Sequence, residues 1–395
     1  MTAPLDGIRV LELGSLIAGP FCAKTLGDFG AEVIKLEPPG EGDALRTWRR
    51  LRNGTSLWWH VQSRNKKSVT CDLRRPEGQE IVRRLARRAH IMIENFRPGA
   101  LERWNLGWNA LAAENPQLIL VRISGYGQSG PYRERPGFAA IAEAVGGMRY
   151  VTGFPDRPPA RPNLSLGDTI AALHGVIGAL LALHAVNNGA GGQVIDVALY
   201  ESVFNCMESL LPEYDAQGYV RERSGAALPG IAPSNLYPCS DGTYVLIAGN
   251  ADSLYRRLMS AIGRTDLRDD PALERNDGRA AQMQRIDDAI AEWTRRRTQT
   301  EVLAAMAAAE VPAGRIYTAA DIAADPHYLA RGIIESITAA DGEPLKVPGV
   351  IPKLSRTPGA IRTPAPRLGE HTDEVLGEIG YSDAEISRLR EAHVV

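Results

Sequence analysis

The stretch IRVLELGSLIAGPFCAKTLGDFGAEVIKLE, residues 8–37, decides the fold class. Its first six residues are a short apolar run, a Gly-Ser turn follows, and a helical segment leads to a second apolar run at residues 31–37. This pattern predicts strand, helix and strand. Two strands joined by a helix are parallel and have a right-handed crossover. The stretch therefore predicts an α/β fold.

The same alternation continues toward the middle of the chain. Further strands are predicted at residues 69–73, 91–95 and 118–124, helices at 76–89 and 107–115, and a strand followed by a helix within 191–211. We expect a large doubly wound, Rossmann-like parallel sheet with helices on both faces. Ligands of such folds bind at the carboxyl ends of the strands.

The composition changes after residue 212. Residues 222–235 are rich in Gly, Pro and Ala and predict a loop, and residues 235–250 predict a hairpin around Asp241-Gly242. Helices are predicted near 251–263 and 278–310. We therefore predict a first large domain over 1–215, a smaller α+β domain over 225–325, and a Pro-rich linker with a C-terminal part over 330–395.

Charge and composition argue against several classes of protein. The net charge of −2 gives no general attraction to nucleic acid or to a membrane surface. Four cysteines lie far apart without a CxxC pair, and Asp6 and Glu12 stand where a secretion signal would be basic and then apolar, so we expect free thiols in the cytoplasm. The apolar run 169–186 is nearly long enough to span a membrane. It contains His174 and His184 and stands alone, so we expect a buried core helix.

Asp168 stands at the start of that apolar run, in LGDTIAAL. Its position predicts an N-cap, because a carboxylate accepts hydrogen bonds from the free N–H groups of a first helical turn. The other interpretation is a nucleophile at the edge of a cavity, at the positive end of a helix dipole. Gly167 would let a ligand approach the backbone there. The local pattern alone favours the capping interpretation.

Other motifs are weak or absent. GYGQSG at residues 125–130 matches GxGxxG, but Pro131 and no helix follow it, so we expect a ligand-approaching loop and no dinucleotide site. The sequence contains no HExxH, no GxSxG and no metal-spaced Cys/His cluster. His371 has only Glu370 and Asp373 as local partners, so we expect no metal site.

Basic residues gather in the predicted turns after the early strands. They are Arg46, Arg49, Arg50, Arg64, Lys66, Lys67, Arg74, Arg75, Arg97 and Arg103. They could form a solvated basic surface, which is the usual fate of such residues. Their place at strand ends favours a pocket for a polyanion, since arginine binds phosphate in a bidentate manner.

Several stretches together resemble the class III CoA-transferase family, which includes formyl-CoA and carnitine CoA-transferases (the CaiB/BaiF group). They are LDGIRVLELGSLIAGPFCAKTLGDFGAEVIKLEPPGEGD, RNKKSVTCDLRRPEG, IENFRPGALERWNLGW, SGYGQSGPY, LGDTIAALHGVIGALLAL, GGQVIDVALYES and LGEHTDEVL. They extend from the first residues nearly to the last and stand in the family's order. The resemblance favours Asp168, within LGD, as the catalytic nucleophile.

The resemblance also implies a fold, an assembly and a CoA site. The N- and C-terminal parts would share the large domain, and ring-shaped subunits would interlink in a homodimer. Coenzyme A and acyl-CoA would be substrates, with a small carboxylic acid as the other partner and no tightly bound cofactor. The CoA-binding positions carried over are Ile17, Ala18, Cys71, Asp72, Leu73, Arg74, Asn95, Phe96, Arg97, Arg103, Tyr126 and Gly137.

Two departures from formyl-CoA transferases bear on substrates. Pro38 stands where those enzymes have an arginine after the second strand, and Arg46 and Arg74 are the candidates to replace it. GAALPGIAPSN at residues 225–235 replaces their four-glycine loop, which argues against oxalate and formate. Succinyl-CoA and another dicarboxylate become the expected pair, with Arg135, Arg149 and Arg315 as candidates for the distal carboxylate.

The implied reaction passes through an aspartyl anhydride and an aspartyl-CoA thioester, with oxyanion donors near Gly137 or in the small-domain loop. An acyl-CoA racemase or epimerase is the main alternative. It would need a His-Asp pair where this chain has Phe138-Ala139, and Phe cannot accept a proton. A non-catalytic CoA-binding protein is the alternative from another class.

Overall fold

The computed structural model describes residues 3–395. In chain order its strands are β1 (Arg9–Glu12), β2 (Glu32–Glu37), β3 (Leu51–Arg52), β4 (Thr55–Ser56), β5 (Lys66–Thr70), β6 (Ile91–Glu94), β7 (Ile119–Ser124), β8 (Val194–Ala198), β9 (Ser234–Pro238), β10 (Tyr244–Ala248), β11 (Ala313–Arg315), β12 (Ile334–Thr338) and β13 (Pro344–Pro348).

The helices follow the same order. They are α1 (Ala18–Asp28), α2 (Leu57–Gln62), α3 (Pro76–Ala86), α4 (Ala100–Arg103), α5 (Trp108–Glu114), α6 (Ala139–Val145), α7 (Met148–Val151), α8 (Leu166–Asn187), α9 (Leu199–Phe204), α10 (Leu210–Gln217), α11 (Asp252–Ala261), α12 (Thr265–Arg268), α13 (Asn276–Ala281), α14 (Met283–Thr294), α15 (Gln299–Ala308), α16 (Ala319–Ala324), α17 (Pro326–Ala330), α18 (Thr372–Glu378) and α19 (Asp383–Glu391).

The described residues divide into two compact units. The first comprises the residues up to Met148, Pro162–Gly218 and Pro326–Val395, and the second comprises Arg149–Arg161 and Tyr219–Asp325. The predicted boundaries placed the segment 149–161 in the large domain. In the structure it groups with the second unit, because Gly225 N donates to Gly153 O at 2.9 Å and Arg223 donates to Tyr150 O at 2.9 Å.

The first unit is built on a six-stranded parallel sheet in the order β5-β2-β1-β6-β7-β8. Numbered by chain order among themselves, these strands run 3-2-1-4-5-6, so the direction of winding reverses between β1 and β6. This is the strand order of doubly wound folds, which bind ligands at the carboxyl ends of the strands beside that reversal. The α/β fold expected from the sequence is confirmed.

Both faces of the sheet are covered. Leu11, Ile34 and Met92 point to a core shared with α3, α5, α18 and α19, whereas Val10 and Val33 point to a core shared with α1, α6 and α8. Neighbours along a strand face opposite sides, so a strand buried on both faces needs an unbroken apolar run. The strands of the sheet are mostly apolar, but they also bury charged residues such as Glu12, Lys35 and Lys66.

The long helix α8 differs from the prediction. A fully buried helix was expected, but only one side of α8 is buried. That side carries small residues such as Ala171, Gly175 and Ala179. On its other side Ile177 and Leu181 are 53% and 66% exposed. By length and composition α8 is the one helix among residues 3–395 that could cross a membrane, and such a single match is weak support for a membrane span.

The second unit contains the antiparallel sheet β11-β10-β9 and its own apolar core. The hairpin predicted around Asp241-Gly242 is the β9–β10 pair, in which Val245 lies opposite Tyr237. The single helix predicted over 278–310 is three helices, α13, α14 and α15. Helix α15 begins at a capping box formed by Thr298 and Glu301, which satisfies backbone N–H groups of its first turn.

Candidate active site

A pocket of about 380 Å³ lies at the carboxyl ends of β1, β2, β5 and β6 in the first unit. It is lined by Leu13, Gly14, Ser15, Leu16, Lys35, Leu36, Glu37, Pro38, Glu41, Gly42, Asp43, Ala44, Cys71, Asp72, Leu73, Arg74, Phe96 and Trp104. The position is the one at which doubly wound sheets bind ligands. Five of the predicted CoA-binding residues, Cys71 to Arg74 and Phe96, are therefore gathered around one cavity.

Residues 71–74 reach this pocket because β5 ends earlier than predicted. The strand was expected at 69–73 but spans Lys66–Thr70, paired with β2. The first half of β5 was not predicted as a strand because its residues, Lys66, Lys67 and Ser68, are polar. Lys66 and Ser68 are nevertheless buried, since Lys66 Nζ lies 2.7 Å from Glu12 Oε2 and Ser68 Oγ donates to Glu37 Oε1 at 2.6 Å.

Lys35, which is one of the lining residues, is the centre of a buried ion-pair network. Its Nζ lies 2.8 Å from Glu12 Oε1 and 2.8 Å from Asp43 Oδ2, and it donates to Gly14 O at 2.8 Å. Burial opposes the ammonium charge, but Glu12 and Asp43 outweigh it and raise the pKa of Lys35. A buried charge is tolerated only when it is paired in this way.

Asp43 connects this ion-pair network to backbone N–H groups around the pocket. Its carboxylate accepts hydrogen bonds from Leu16 N at 3.0 Å and from Leu45 N at 2.9 Å. Leu16 has φ +65°, a conformation that costs energy for a side-chain-bearing residue and persists only when its surroundings hold it. The Asp43 carboxylate supplies that support. Sequence analysis missed Asp43, whose only signal was its position in the turn after β2.

The structure corrects the assignment of several basic residues. Arg64 and Lys66 were predicted to face a polyanion, but both are buried, with Arg64 Nη2 2.8 Å from Asp28 Oδ2. Lys67 pairs with Glu32 at 3.0 Å, away from the pocket lining. These cations neutralise carboxylates of the fold, because desolvated carboxylates need partners.

The two candidates to replace the arginine absent at Pro38 have different surroundings. Arg46 is occupied, since it binds Glu37 through two hydrogen bonds of 2.7 and 2.8 Å and stacks 3.8 Å from the ring centroid of Trp59. Arg74 lines the pocket, and its side chain is 78% exposed while it pairs with Asp72 at 2.8 Å. Arg74 is thus the cation at the mouth of the pocket.

Five other predicted CoA residues do not line this pocket but lie within two residues of lining positions in the chain: Ile17, Ala18, Asn95, Arg97 and Arg103. Asn95 fastens the loop after β1, since its Oδ1 accepts from Ser15 N at 2.8 Å and its Nδ2 donates to Ser15 O at 2.9 Å. Ile17 and Ala18 are buried at the start of α1. Arg97 and Arg103 are exposed on the segment after β6.

Asp168 is not the N-cap of α8. The helix begins at Leu166 with Ser165 as N-cap, so Asp168 is the third helical residue, in the first turn. Its side chain is half-buried. The capping interpretation is therefore corrected, whereas the carboxylate still lies at the positive end of a 22-residue helix.

Close backbone approaches surround the first turn of α8. A Cβ on Gly125 would lie 2.8 Å from Gly137 Cα, so these two glycines admit no side chain between them. Gly167 lies against Ala139, and its N–H donates to Glu143 Oε1 at 3.3 Å. Tyr126 was carried over as a CoA contact. It lies beside Gly137 and packs edge-on against Tyr132, with ring centroids 5.8 Å apart.

Asp168 and the pocket lie at the same edge of the sheet. The start of α8 lies next to Ala139, which follows the Gly125–Gly137 contact beyond the end of β7. Gly192, which follows the end of α8, lies against Leu118, the residue before β7. Helix α8 is thus antiparallel to β7. Strands β1 and β7 are separated by β6, so the carboxylate is displaced from the pocket along that edge. An elongated ligand lying along that edge would connect them.

No group of three or more His, Cys, Asp or Glu side chains within residues 3–395 has the geometry of a metal site. The four cysteines are free; Cys22, Cys71 and Cys239 are buried and Cys206 is exposed. Burial raises the pKa of the Cys71 thiol to about 12, so this pocket residue stays a neutral thiol near pH 7.

Comparisons with known proteins give consistent results. A family model described as CoA-transferase family III matches residues 5–372. The chain is 48% identical, over 99% of its length and 98% of the relative's, to a succinyl-CoA–D-citramalate CoA-transferase of Chloroflexus aurantiacus. It is 45% identical to the beta subunit of a succinyl-CoA–L-malate CoA-transferase of the same organism, with coverage of 100% and 98%. A crystal structure of a CAIB/BAIF family protein from Brucella suis superposes with a TM-score of 0.83 at 36% identity, covering 96% of this chain and 100% of that one.

Proposed function

This chain belongs to CoA-transferase family III, and from that premise we propose that it moves CoA from succinyl-CoA to a dicarboxylic acid through covalent adducts of Asp168. Relatives at 45–48% identity are named as CoA-transferases that use succinyl-CoA. The observation that carries the proposal is the Asp168 carboxylate in the first turn of α8, at the same sheet edge as a pocket lined by the predicted CoA residues.

In the first half-reaction, a carboxylate oxygen of Asp168 attacks the thioester carbonyl of succinyl-CoA. The carbon–sulfur bond breaks, CoA leaves as a thiolate, and a mixed anhydride remains. The thiolate then attacks the aspartyl carbonyl, which releases succinate and forms an aspartyl-CoA thioester. Thiolate is a good leaving group, so an ordinary carboxylate is a sufficient nucleophile.

The second half-reaction runs the same steps in reverse with the acceptor. Its carboxylate attacks the aspartyl-CoA thioester, and the released thiolate attacks the acceptor's own carbonyl in the new anhydride. The products are the acceptor's CoA thioester and the regenerated Asp168 carboxylate. Because CoA stays bound, its thiolate reacts at a high effective concentration.

The tetrahedral intermediates require N–H donors. We place the donors among the backbone groups around Gly137, where the tight Gly125–Gly137 contact leaves no side chain in the way. CoA itself would occupy the pocket, with Arg74 exchanging Asp72 for a phosphate. CoA is a substrate in this proposal, and no tightly bound cofactor takes part.

The acceptor is proposed to be a dicarboxylate of the malate type. Two relatives act on citramalate and malate. Of the three arginines considered for the distal carboxylate, Arg315 pairs with Asp321, and Arg149 also has an interaction partner. Arg135 has no carboxylate partner within residues 3–395, and its guanidinium stacks 3.6 Å from the ring centroid of Tyr132. We assign the distal carboxylate to Arg135.

We also propose a cytoplasmic homodimer with interlinked subunits. The exposed apolar side of α8, with Ile177 and Leu181, is a surface that a second copy of the chain would cover. Four free cysteines, three of them buried, suit a reducing compartment.

The alternative activities have less support. A racemase would need a proton acceptor after Gly137. Phe138 has no atom that can accept a proton, and Ala139 carries only a methyl group. A CoA-binding protein without activity would not need a carboxylate in the first turn of α8. In addition, the relatives of this chain at 45–48% identity are named as CoA-transferases.

The direct test is to trap the aspartyl thioester. The protein is incubated with succinyl-CoA and hydroxylamine, and its peptides are analysed by mass spectrometry. A hydroxamate at Asp168 is expected. A hydroxamate at the neighbouring carboxylate Glu143 instead, or at neither residue during turnover, would overturn the proposed mechanism.

Acceptor choice is tested separately. Arg135→Gln is expected to raise KM for dicarboxylic acids by roughly 10- to 100-fold, because one charge-assisted hydrogen-bonded pair is lost. Monocarboxylic acids should be little affected. Arg133→Gln, in the same loop but paired with Glu134, is the matched control. Equal effects on both classes of acid would exclude Arg135 from binding the distal carboxylate.

A further inference from the structure

Arg122 connects two ends of the segment that follows β6. It lies on β7, its side chain is 7% exposed, and it is outside the pocket lining. Its Nε donates to Glu94 Oε1 at 2.7 Å, while Nη1 and Nη2 donate to the two oxygens of Glu102 at 2.7 and 3.2 Å. A single guanidinium thus holds two carboxylates that are eight residues apart in the chain.

Glu94 fixes the first end of this segment. It is the last residue of β6, and its second oxygen accepts the Phe96 N–H at 2.7 Å. Burial raises the pKa of Glu94 to about 7, and Arg122 acts in the opposite direction. The arginine therefore favours the carboxylate form that accepts both hydrogen bonds.

Glu102 fixes the other end. It belongs to the short helix α4, which also carries Arg103. Its side chain packs against Gly107, where an added Cβ would lie 3.0 Å from Glu102 Cγ. The carboxylate is thus held between the turn at Gly107 and the guanidinium of Arg122.

Three of the predicted CoA contacts, Asn95, Phe96 and Arg97, lie between these two ends, and a fourth, Arg103, directly follows Glu102. Phe96 also packs edge-on against Trp104, with ring centroids 5.2 Å apart, and both rings line the pocket. Arg97 and Arg103 are exposed, so their own side-chain contacts do little to order the backbone that carries them.

We propose that Arg122 is a positioning residue for CoA binding, which holds residues 95–103 in their binding conformation through Glu94 and Glu102. The inference rests on the proposed function in that CoA occupies this pocket. Without Arg122 the segment samples several conformations, and CoA binding must select one of them. The effect therefore falls on the affinity for CoA and not on the chemistry at Asp168.

The test compares Arg122→Met with Arg9→Met. Arg9 is the matched control because it also bridges two glutamates, Glu32 at 2.7 Å and Glu378 at 3.1 Å, but at the start of β1, the opposite edge of the sheet. For Arg122→Met, the Kd for free CoA measured by calorimetry and the KM for acyl-CoA should rise by roughly 10- to 100-fold, as is typical when residues supporting a site are removed. The kcat should stay within about threefold of wild type, and Arg9→Met should leave the Kd unchanged.

A milder pair of variants covers the case in which Arg122→Met does not fold. Glu102→Gln leaves the Arg122–Glu94 pair intact, and a smaller rise in Kd for CoA is expected. Arg122→Lys keeps the charge but cannot reach both glutamates in this geometry, so it should restore binding only in part. An unchanged Kd in Glu102→Gln, or equal Kd changes in Arg122→Met and Arg9→Met, would overturn the proposal. Failure of the wild-type protein to bind CoA would count against the proposed function instead.

Discussion

The two ends of the candidate site are built differently. The pocket after β1, β2, β5 and β6 rests on buried charges that are paired within this chain, with Lys35 at their centre. The region around the start of α8 rests on glycine contacts, and the exposed apolar side of α8 begins nearby. This difference supports the proposal that one chain completes the pocket for CoA, whereas a second chain covers the exposed side of α8.

The sharpest way to separate the two ends is to remove the proposed nucleophile. Asp168→Asn is expected to lower turnover on the order of 10⁴-fold or more, as loss of a nucleophile does in other enzymes. The Kd for CoA should stay the same, because the pocket is built from other residues. Ser165→Ala is the control, since Ser165 makes no capping hydrogen bond with its side chain. Retained turnover in Asp168→Asn would rule out covalent catalysis by this residue.

The next largest effect is expected at the CoA end. Lys35→Met leaves the buried Asp43 carboxylate without a cation, whereas Glu12 keeps Lys66 at 2.7 Å, and the free energy of unfolding should fall by about 3 kcal/mol. Lys67→Met, which removes a more exposed ion pair, should cost only about 0–1 kcal/mol. Urea unfolding measures both. Similar losses in the two variants would contradict a special role for the buried network.

At the other end, the expected effect is on assembly. Leu181→Asp puts a charge on the exposed apolar side of α8 and should weaken the proposed dimer by about 2 kcal/mol or more, roughly 30-fold in its dissociation constant. Sedimentation velocity measures the shift. Leu329→Asp, an exposed leucine on α17, is the control and should not change the assembly. A monomeric wild-type protein, or an unchanged dimer in Leu181→Asp, would refute the role of this surface.

Acid is the mildest perturbation, because it removes no side chain. Arg46 and Lys35 hold the pKa of Glu37 below its usual value in spite of burial, and Lys35 does the same for Asp43. A depressed pKa in the folded state adds stability above the unfolded-state value near pH 4, and this stability is lost as the pH falls through the folded-state values. The protection factors of amide hydrogens in residues 38–47, which correct for the slower intrinsic exchange in acid, should therefore fall below about pH 4. In Asp43→Asn this acid dependence should be weaker, and an identical dependence would contradict the assignment.

Part of the site followed from the sequence. The resemblance to the family assigned residues 71–74 and Phe96 to the CoA site, whereas the strand pattern predicted only that polar turns would meet at the carboxyl edge of the sheet, because parallel strands end at one edge. The roles of the basic residues did not follow. Arg64 and Lys66 have the same local pattern as Arg74, but only Arg74 reaches the pocket mouth. Their partners, Asp28 and Glu12, are 36 and 54 residues away, so no local pattern could reveal them.

The sequence by itself determined the α/β class, most strand and helix positions and the family, since these depend on periodicity and motifs within a few tens of residues. Only the tertiary structure decided which charges are buried, that β5 begins at Lys66, that Asp168 lies inside the first turn of α8, and that one side of α8 stays exposed. Each of these depends on which distant residues meet. Burial, pairing and exposure are properties of the packed chain, and the same residues in sequence are compatible with either outcome.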